Sequence, residues 1–279
     1  MGCAGRMRSK YTASSWTVNV QEALIHDNRK FAQRDFYRWG EQIAGMIFQT
    51  RSRIRKQELR MKYTTVIFDL DGTLLNTLED LMDAVNYALE QFGYPQRTLE
   101  EIRTFVGNGV RKLMERSLPD GAQNVYFEEA LAAFRAYYTE HCEDKTQAYD
   151  GVIELMERLK AEGCRLAIVS NKLDRAVKAL NQSYFKGMVQ AALGDQEGIR
   201  RKPAPDMVEN ALAELNSSKS EAVYVGDSDV DIQTAANSGL PCISVSWGFR
   251  DAQFLRECGA AVIADTPQQV YDYICRGIL

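Results

Sequence analysis

The stretch Val66–Thr77, VIFDLDGTLLNT, constrains the fold more than any other part of the chain. A short run of β-branched and aromatic residues closed by turn formers is how a strand buried on both faces reads. This run delivers two carboxylates, Asp69 and Asp71, into a turn at Gly72. In open α/β sheets ligands sit beyond the carboxyl ends of the strands, which puts Asp69 where chemistry is done. Alternate residues of an extended chain point the same way, so Asp69 and Asp71 can face one site, one attacking phosphorus while the other handles a proton. Gly72 can turn sharply and let backbone N–H groups approach an anion. Asp-x-Asp-Gly also occurs in calcium loops and plain turns, so the motif alone leaves those readings open.

Three more motifs recur in the same setting, each at the end of an apolar run. RLAIVSNK reads as a strand ending at Ser170 and Asn171, a hydroxyl and an amide suited to phosphate oxygens. A Ser/Asn helix cap before Asp174 is a compatible reading, because helix N-termini bind anions. RKPAPDMVENAL places Lys202 before Pro203 and Pro205, which are expected to hold the chain extended ahead of a helix. A point cation there suits a phosphate and a crowded carboxylate site. AVYVGDSDVDIQTAANSG is a further strand, followed by Asp227, Asp229 and Asp231. Carboxylates at a helix start are commonly caps, but three within five residues exceed what capping needs.

Asp69, Asp71 and Asp227 together form a like-charge cluster that calls for a hard cation. Oxygen donors beside a phosphate suit Mg2+, whereas the two histidines, His26 and His141, stand in no metal-ligand spacing that would suggest zinc. No Gly-x-Ser-x-Gly elbow is present and His141 is no sensible base for a serine, which leaves an aspartate nucleophile and an aspartyl-phosphate.

With these motifs in this order, Met61 to Leu279 resembles the haloacid dehalogenase superfamily of aspartate-dependent phosphotransferases. The resemblance implies Asp69 as nucleophile, Asp71 as acid/base, Ser170 with Asn171 and Lys202 as phosphate binders, and Asp227 with Asp231 as the acids of the last motif. It further implies Mg2+ ligated by Asp69, the backbone carbonyl of Asp71 and Asp227, with Asp231 supporting them from behind or through water. Asp71 argues against true dehalogenation, which needs no such acid. TFVGNGVRKLMERSL, Thr104 to Leu118, looks like the helical cap of phosphoglycolate phosphatases, so 2-phosphoglycolate is the expected substrate. Inorganic pyrophosphatase, sugar or nucleotide phosphatase and phosphomutase are the enzyme alternatives, and a silent phospho-ligand binding protein is the non-enzyme one. Asn76 departs from the pattern, standing where many relatives carry an aspartate.

From Leu78 the period becomes helical. Leu78, Leu81, Met82, Val85, Leu89 and Phe92 fall at three- and four-residue steps, ended by Gly93 and Pro95. Helices are then expected over Leu99–Phe105, Val110–Leu118 and about Gln123–Cys142, making residues 78–145 an all-helical cap with Leu113, Leu131 and Phe134 in its core. Gly107, Asn108, Gly109 and Arg111 are the candidates for reading an anionic leaving group, through N–H groups and a guanidinium fork. After Asp150, strands and helices alternate, which means a parallel sheet. The expected fold is α/β, a Rossmann-like doubly wound parallel sheet formed by residues 61–77 and 146–279, with the helical cap inserted after its first strand.

Charge divides the chain in two. Residues 1–60 hold 12 Lys and Arg against 5 Asp and Glu, so of the totals of 34 and 38, 22 and 33 remain beyond. The basic leader carries Phe31, Met46, Ile47 and Ile54 among arginines without strand periodicity. A transit peptide, a nucleic-acid arm, a surface helix or a lipidated Met-Gly-Cys start is outweighed by a plainer reading, in which Met61 is the natural start and residues 1–60 are a dispensable or over-extended tail. No apolar run approaches the ~20 residues that span a bilayer. The six cysteines are scattered, Cys164 and Cys242 beside strands as small core residues, which fits a reducing cytoplasm. The expected partner is a small phosphate ester rather than nucleic acid or membrane, and the expected assembly a monomer or homodimer.

Overall fold

The computed structural model describes residues 61–278, so the expectations for the basic leader lie outside the described residues. Its strands are β1 (Thr65–Phe68), β2 (Leu75–Asn76), β3 (Gln147–Ala148), β4 (Arg165–Leu173), β5 (Ala191–Asp195), β6 (Ala222–Gly226), β7 (Cys242–Val245) and β8 (Ile263–Ala264). Six of them form one parallel sheet in the order β5-β4-β1-β6-β7-β8. The central strands are buried on both faces. Along β1, Val66 and Phe68 join one core and Ile67 the other; Leu166 and Ile168 against Ala167 and Val169 in β4, and Val223 and Val225 against Ala222 and Tyr224 in β6, repeat the alternation. That is the period-two geometry of a strand with a hydrophobic layer on each side. Truncating Phe68, only 1% exposed, to alanine is expected to cost about 3–5 kcal/mol.

The helices of the α/β part are α5 (Val152–Ala161), α6 (Asp174–Tyr184), α7 (Asp206–Glu214), α8 (Asp229–Ser238), α9 (Ala252–Glu257) and α10 (Pro267–Arg276). Leu155, Val177 and Val270 place α5, α6 and α10 against one face of the sheet, while Val208 and Ala235 place α7 and α8 against the other. The sheet is thus doubly wound. The sequence reading ended at β7; β8, α9 and α10 complete the chain, α10 starting at Pro267 with Thr266 accepting a cap bond from the Gln269 N–H.

Residues 78–141 supply α1 (Leu78–Gln91), α2 (Leu99–Phe105), α3 (Val110–Ser117) and α4 (Phe127–His141). Ala84, Val85, Leu89, Ile102, Leu113, Met114, Leu131, Phe134 and Tyr138 form their common core. Thr98 and Glu101 make a capping box that starts α2. The helix expected from about Gln123 begins only at Phe127. Asn124 Oδ1 takes the Tyr126 N–H at 2.9 Å and a 3-10 turn occupies Gly121–Gln123, which diverts the backbone from α-helical bonding. The two crossings between sheet and helices pair with each other as the antiparallel β2–β3 ribbon, Leu75 opposite Ala148. Asp80, buried at the start of α1, accepts the Lys145 and Thr146 N–H groups at 2.9 Å each and so ties the entry of the cap to its exit. Among the described residues no helix is long and apolar enough to cross a membrane.

Candidate active site

Parallel register brings the sequence motifs together. Phe68 stands opposite Ile168 of β4 and Val225 of β6, so Asp69 and Asp227, each just past its strand, and Ser170, within β4, come from three neighbouring strands within two residues of level. The Asp69 N–H donates to the Val225 carbonyl at 2.9 Å, holding the chain in register one step beyond the strand. A cavity of about 50 Å3 opens there, lined by Asp69, Asp71, Ser170, Lys202 and Asp227 from the α/β part and by Val106, Gly107, Gly109, Val110 and Leu113 from the cap.

Lys202 is the hub of the carboxylates. Its Nζ donates to Asp69 Oδ1 at 2.7 Å, Asp231 Oδ1 at 2.8 Å and the Tyr224 hydroxyl at 3.1 Å, with the lysine side chain 3% exposed. Burial works against its charge, yet Asp231 and Asp69 outweigh it and hold the ammonium well above its ordinary range. Asp231 occupies the third turn position of α8, where its Oδ2 takes the Ser228 N–H at 3.1 Å and hydroxyl at 2.6 Å, a capping box that also aims the carboxylate at Lys202. The prolines after Lys202 do not extend the chain as expected. The Ala204 N–H returns to the Arg201 carbonyl at 2.9 Å and makes a turn, a conformation that Pro203 and Pro205 tolerate because neither has an N–H to lose.

Asp227 is held from three sides. Its Oδ2 accepts the Phe249 N–H at 2.7 Å and its Oδ1 the Thr73 hydroxyl at 3.2 Å. Gly72, at φ +89°, and Gly248 pass so close that a Cβ on either would fall within 3.0 Å of the Asp227 side chain. Glycine is required at both positions by close approach, and at Gly72 also by conformation. Burial first, then the charge of Asp231, pushes the Asp227 carboxyl up to about 7, and burial with Asp231 pushes Asp69 well above the usual carboxylate range.

That strain identifies a cation site. Asp69, Asp227 and Asp231 bring carboxylate oxygens within 4.8 Å of one another, all buried. The donor set is oxygen only, and Asp231 is already saturated by Lys202, Tyr224 and Ser228. Asp69 and Asp227, whose carboxyls burial and repulsion raise, are therefore the ones a hard divalent ion would restore to the charged form.

Asp71 points to the same cavity from its own frame. Its Oδ1 accepts from the Thr77 hydroxyl at 2.7 Å and from Lys172 Nζ at 2.8 Å. Ser170 Oγ accepts the Lys172 N–H at 3.2 Å, which leaves the hydroxyl proton free to donate into the cavity. β4 and β5 lose regular register between Val169 and Leu173, and this irregularity lets Ser170, Asn171 and Lys172 all reach the site although alternate strand residues normally oppose.

Three expectations need correction. The Asn171 amide does not stand free for phosphate: its Nδ2 donates to the Gly107 carbonyl at 3.2 Å and the Lys202 carbonyl at 3.1 Å, tying cap, β4 and the lysine turn together. Arg111 does not face the cavity. It pairs with Glu128, its Nη1–Oε2 bond 3.1 Å long, over the Phe127 ring on the outer surface of the cap. Gly109 is the N-cap of α3, and a side chain two positions on lies about 200° around the helix, on another face. Asn108 accepts from Arg116 at 2.8 Å, whereas Gly107 and Gly109 do line the cavity.

A cation that does line it beside the cap is Arg250, in the loop after β7. Its guanidinium donates to the carbonyls of Arg103 at 2.6 Å, Val106 at 3.2 Å and Thr104 at 3.3 Å, closing the C-terminal end of α2. Phe249 beside it packs into the cap core. Neither residue carried a sequence signal beyond its place after an apolar strand, and Lys172 was visible only as the residue following Ser170 and Asn171.

The chain is similar to known proteins. Residues 66–245 match the family model described as haloacid dehalogenase-like hydrolase. The chain is 33% identical over 192 residues to a phosphoglycolate phosphatase of Thiobacillus denitrificans, covering 66% of this chain and 83% of that one. It is also 33% identical over 199 residues to the pyrophosphatase PpaX of Listeria monocytogenes, covering 70% and 89%. A crystal structure of a provisionally named phosphoglycolate phosphatase from Lactobacillus delbrueckii subsp. bulgaricus superposes with a TM-score of 0.74 at 39% identity, over 77% of this chain and 100% of that chain. The chain therefore belongs to the haloacid dehalogenase-like hydrolases, as an enzyme similar to the phosphoglycolate phosphatases.

Proposed function

We propose that this hydrolase cleaves phosphate monoesters through an aspartyl-phosphate on Asp69, with Mg2+ as its metal and 2-phosphoglycolate as its substrate. The observation that carries the reading is the convergence of Asp69, Asp71, Ser170 and Lys202 on one small cavity closed by the cap. Asp69 attacks phosphorus with the oxygen not held by Lys202. Asp71 protonates the departing alkoxide and then takes a proton from the water that hydrolyses the acyl phosphate. Ser170 donates its hydroxyl to a phosphate oxygen, and Lys202 spreads positive charge over nucleophile and phosphate. Asp69, the Asp71 backbone carbonyl and Asp227 would hold Mg2+, which when bound offsets the repulsion between the carboxylates and a phosphate dianion.

The leaving-group end is assigned to Arg250 with the Gly107–Gly109 backbone, in place of Arg111. The Arg250 Nη1 and Nη2 groups are turned to cap carbonyls, so what Arg250 offers a leaving-group carboxylate is its positive charge and a single remaining group, Nε–H, not a two-pronged fork. Pyrophosphate is the second reading, supported by the similarity to the Listeria pyrophosphatase. The test is a comparison of kcat/KM for 2-phosphoglycolate, pyrophosphate and a panel of sugar and nucleotide phosphates with Mg2+ present. A preference for pyrophosphate or a nucleotide would displace the substrate assignment, and trapping of no phosphoenzyme on Asp69 would displace the mechanism.

A further inference from the structure

Lys172 is a buried cation that the reaction as written does not use. Its side chain is 1% exposed, and its Nζ sits between Asp71 Oδ1, at 2.8 Å, and the hydroxyl of Tyr138, with the Tyr138 ring centroid 4.6 Å away. Asp71 belongs to the loop after β1, Lys172 to β4, and Tyr138 to α4 of the cap, where it is fully buried. One ammonium therefore joins the acid/base to the cap. Both bonds recorded on Asp71 fall on Oδ1, from Thr77 and Lys172, and among the described residues Oδ2 accepts none. A carboxylate pinned through one oxygen by two donors presents the other in a fixed direction, which is what proton delivery to a leaving oxygen demands.

We propose that Lys172 is a positioning residue that aims Asp71 Oδ2 at the leaving-group oxygen and, through Tyr138, makes that aim depend on cap closure. When the cap lifts, Lys172 loses the tyrosine oxygen. With one of its two side-chain partners gone the ammonium is free to shift, and Asp71 Oδ1 with it; closing over substrate restores the geometry. Proton transfer is thereby reserved for the closed, water-excluded state. The inference rests on the phosphatase reading, with Asp71 as its general acid.

The experiment compares single-turnover release of the leaving group from an alkyl phosphate, 2-phosphoglycolate or the best alkyl ester of the panel, with that from p-nitrophenyl phosphate, whose leaving group needs no proton. Lys172→Met should slow the alkyl ester by roughly 10–100-fold, part of the ~10²–10⁴-fold that general acid catalysis supplies. The loss on the nitrophenyl ester should be at least about tenfold smaller. In an Asp71→Asn background the same substitution should add little further loss on the alkyl ester, because it acts through Asp71. Tyr138→Phe, which removes only the hydroxyl, should reproduce the selective loss at several-fold size, and it decides the matter if Lys172→Met does not fold. Equal losses on both esters, an undiminished Lys172 effect without Asp71, or a neutral Tyr138→Phe would overturn the proposal. Failure of the wild-type enzyme to hydrolyse any ester would instead sink the phosphatase reading itself.

Discussion

Replacing Gly248 with alanine tests whether the loop after β7 holds in place Asp227, the carboxylate proposed to bind the metal. A Cβ at this position would come within 3.0 Å of the Gly72 carbonyl oxygen and of the Asp227 side chain. Two of those obstacles are hard to move. The Gly72 carbonyl belongs to a backbone whose own N–H is bonded to the Leu75 carbonyl at 2.9 Å, and Asp227 is clasped by the Phe249 N–H and the Thr73 hydroxyl. The methyl group must therefore push the 247–249 segment outward, an overpacking that typically costs about 1–3 kcal/mol. For a folded unit of this size that is roughly 2–12 °C in Tm. The displacement also carries the Phe249 N–H away from Asp227, so kcat/KM should fall more than tenfold and half-maximal activity should need more Mg2+. Gly93→Ala is the control: it adds the conformational strain of φ +69° with nothing within 4 Å, and should cost about 1 kcal/mol without changing the metal requirement. The measurements are thermal denaturation and a Mg2+ titration of activity on both variants. If Gly248→Ala melts within about 1 °C of wild type and keeps its Mg2+ dependence, the loop does not press on Asp227 and the account of the site is wrong.

Asp69→Asn should abolish turnover while circular dichroism stays unchanged, and Asp71→Asn should lower kcat by roughly 10²–10⁴-fold; near-normal turnover of the first would falsify covalent catalysis. Arg250→Met should raise the KM for 2-phosphoglycolate more than that for p-nitrophenyl phosphate, whereas Arg111→Ala, which breaks an exposed ion pair, should leave both kinetics alone and shift stability by less than about 1 kcal/mol. In metal-free protein, Asp227 folds with its carboxyl raised from 3.8 to about 7, so its contribution is fully present below pH ~4 and is lost as pH climbs through 7. The rise in Tm on adding Mg2+ should therefore grow up to about pH 7 and then level off; a pH-independent increment measured by calorimetry would count against Asp227 as a ligand.

The elements of this fold were legible where their signals are local. The VIFD run, the helical spacing from Leu78 to Leu89 and the alternation after Asp150 each state a period, and a period is a property of neighbours in the chain. The carboxyl ends of parallel strands must meet at one edge, so the place of Asp69, Ser170 and Asp227 followed from strand order alone once the sheet was expected. Asp231 could be read as both a cap and a site acid, and it is both, because the third position of α8 faces the edge where Lys202 arrives. The short β8 escaped notice because two residues carry no period, and α10 because its signals, Thr266, Pro267, Val270 and Ile274, lay beyond the last motif.

What tertiary structure alone decided is which cations serve the site. Arg111 had the right neighbours in sequence and the wrong face of its helix, while Lys172, Arg250 and Tyr138 acquired their positions by contacts across 101, 147 and 34 residues. No local rule reports a contact of that span, since it depends on how the cap settles on the sheet. The amino-acid sequence by itself determined the strands, the helices and the acids at their ends. The packing of cap on sheet determined which oxygen of Asp71 is held, which amide of Asn171 is spent, and which glycines must be glycine, because those follow from atoms approaching through space and not along the chain.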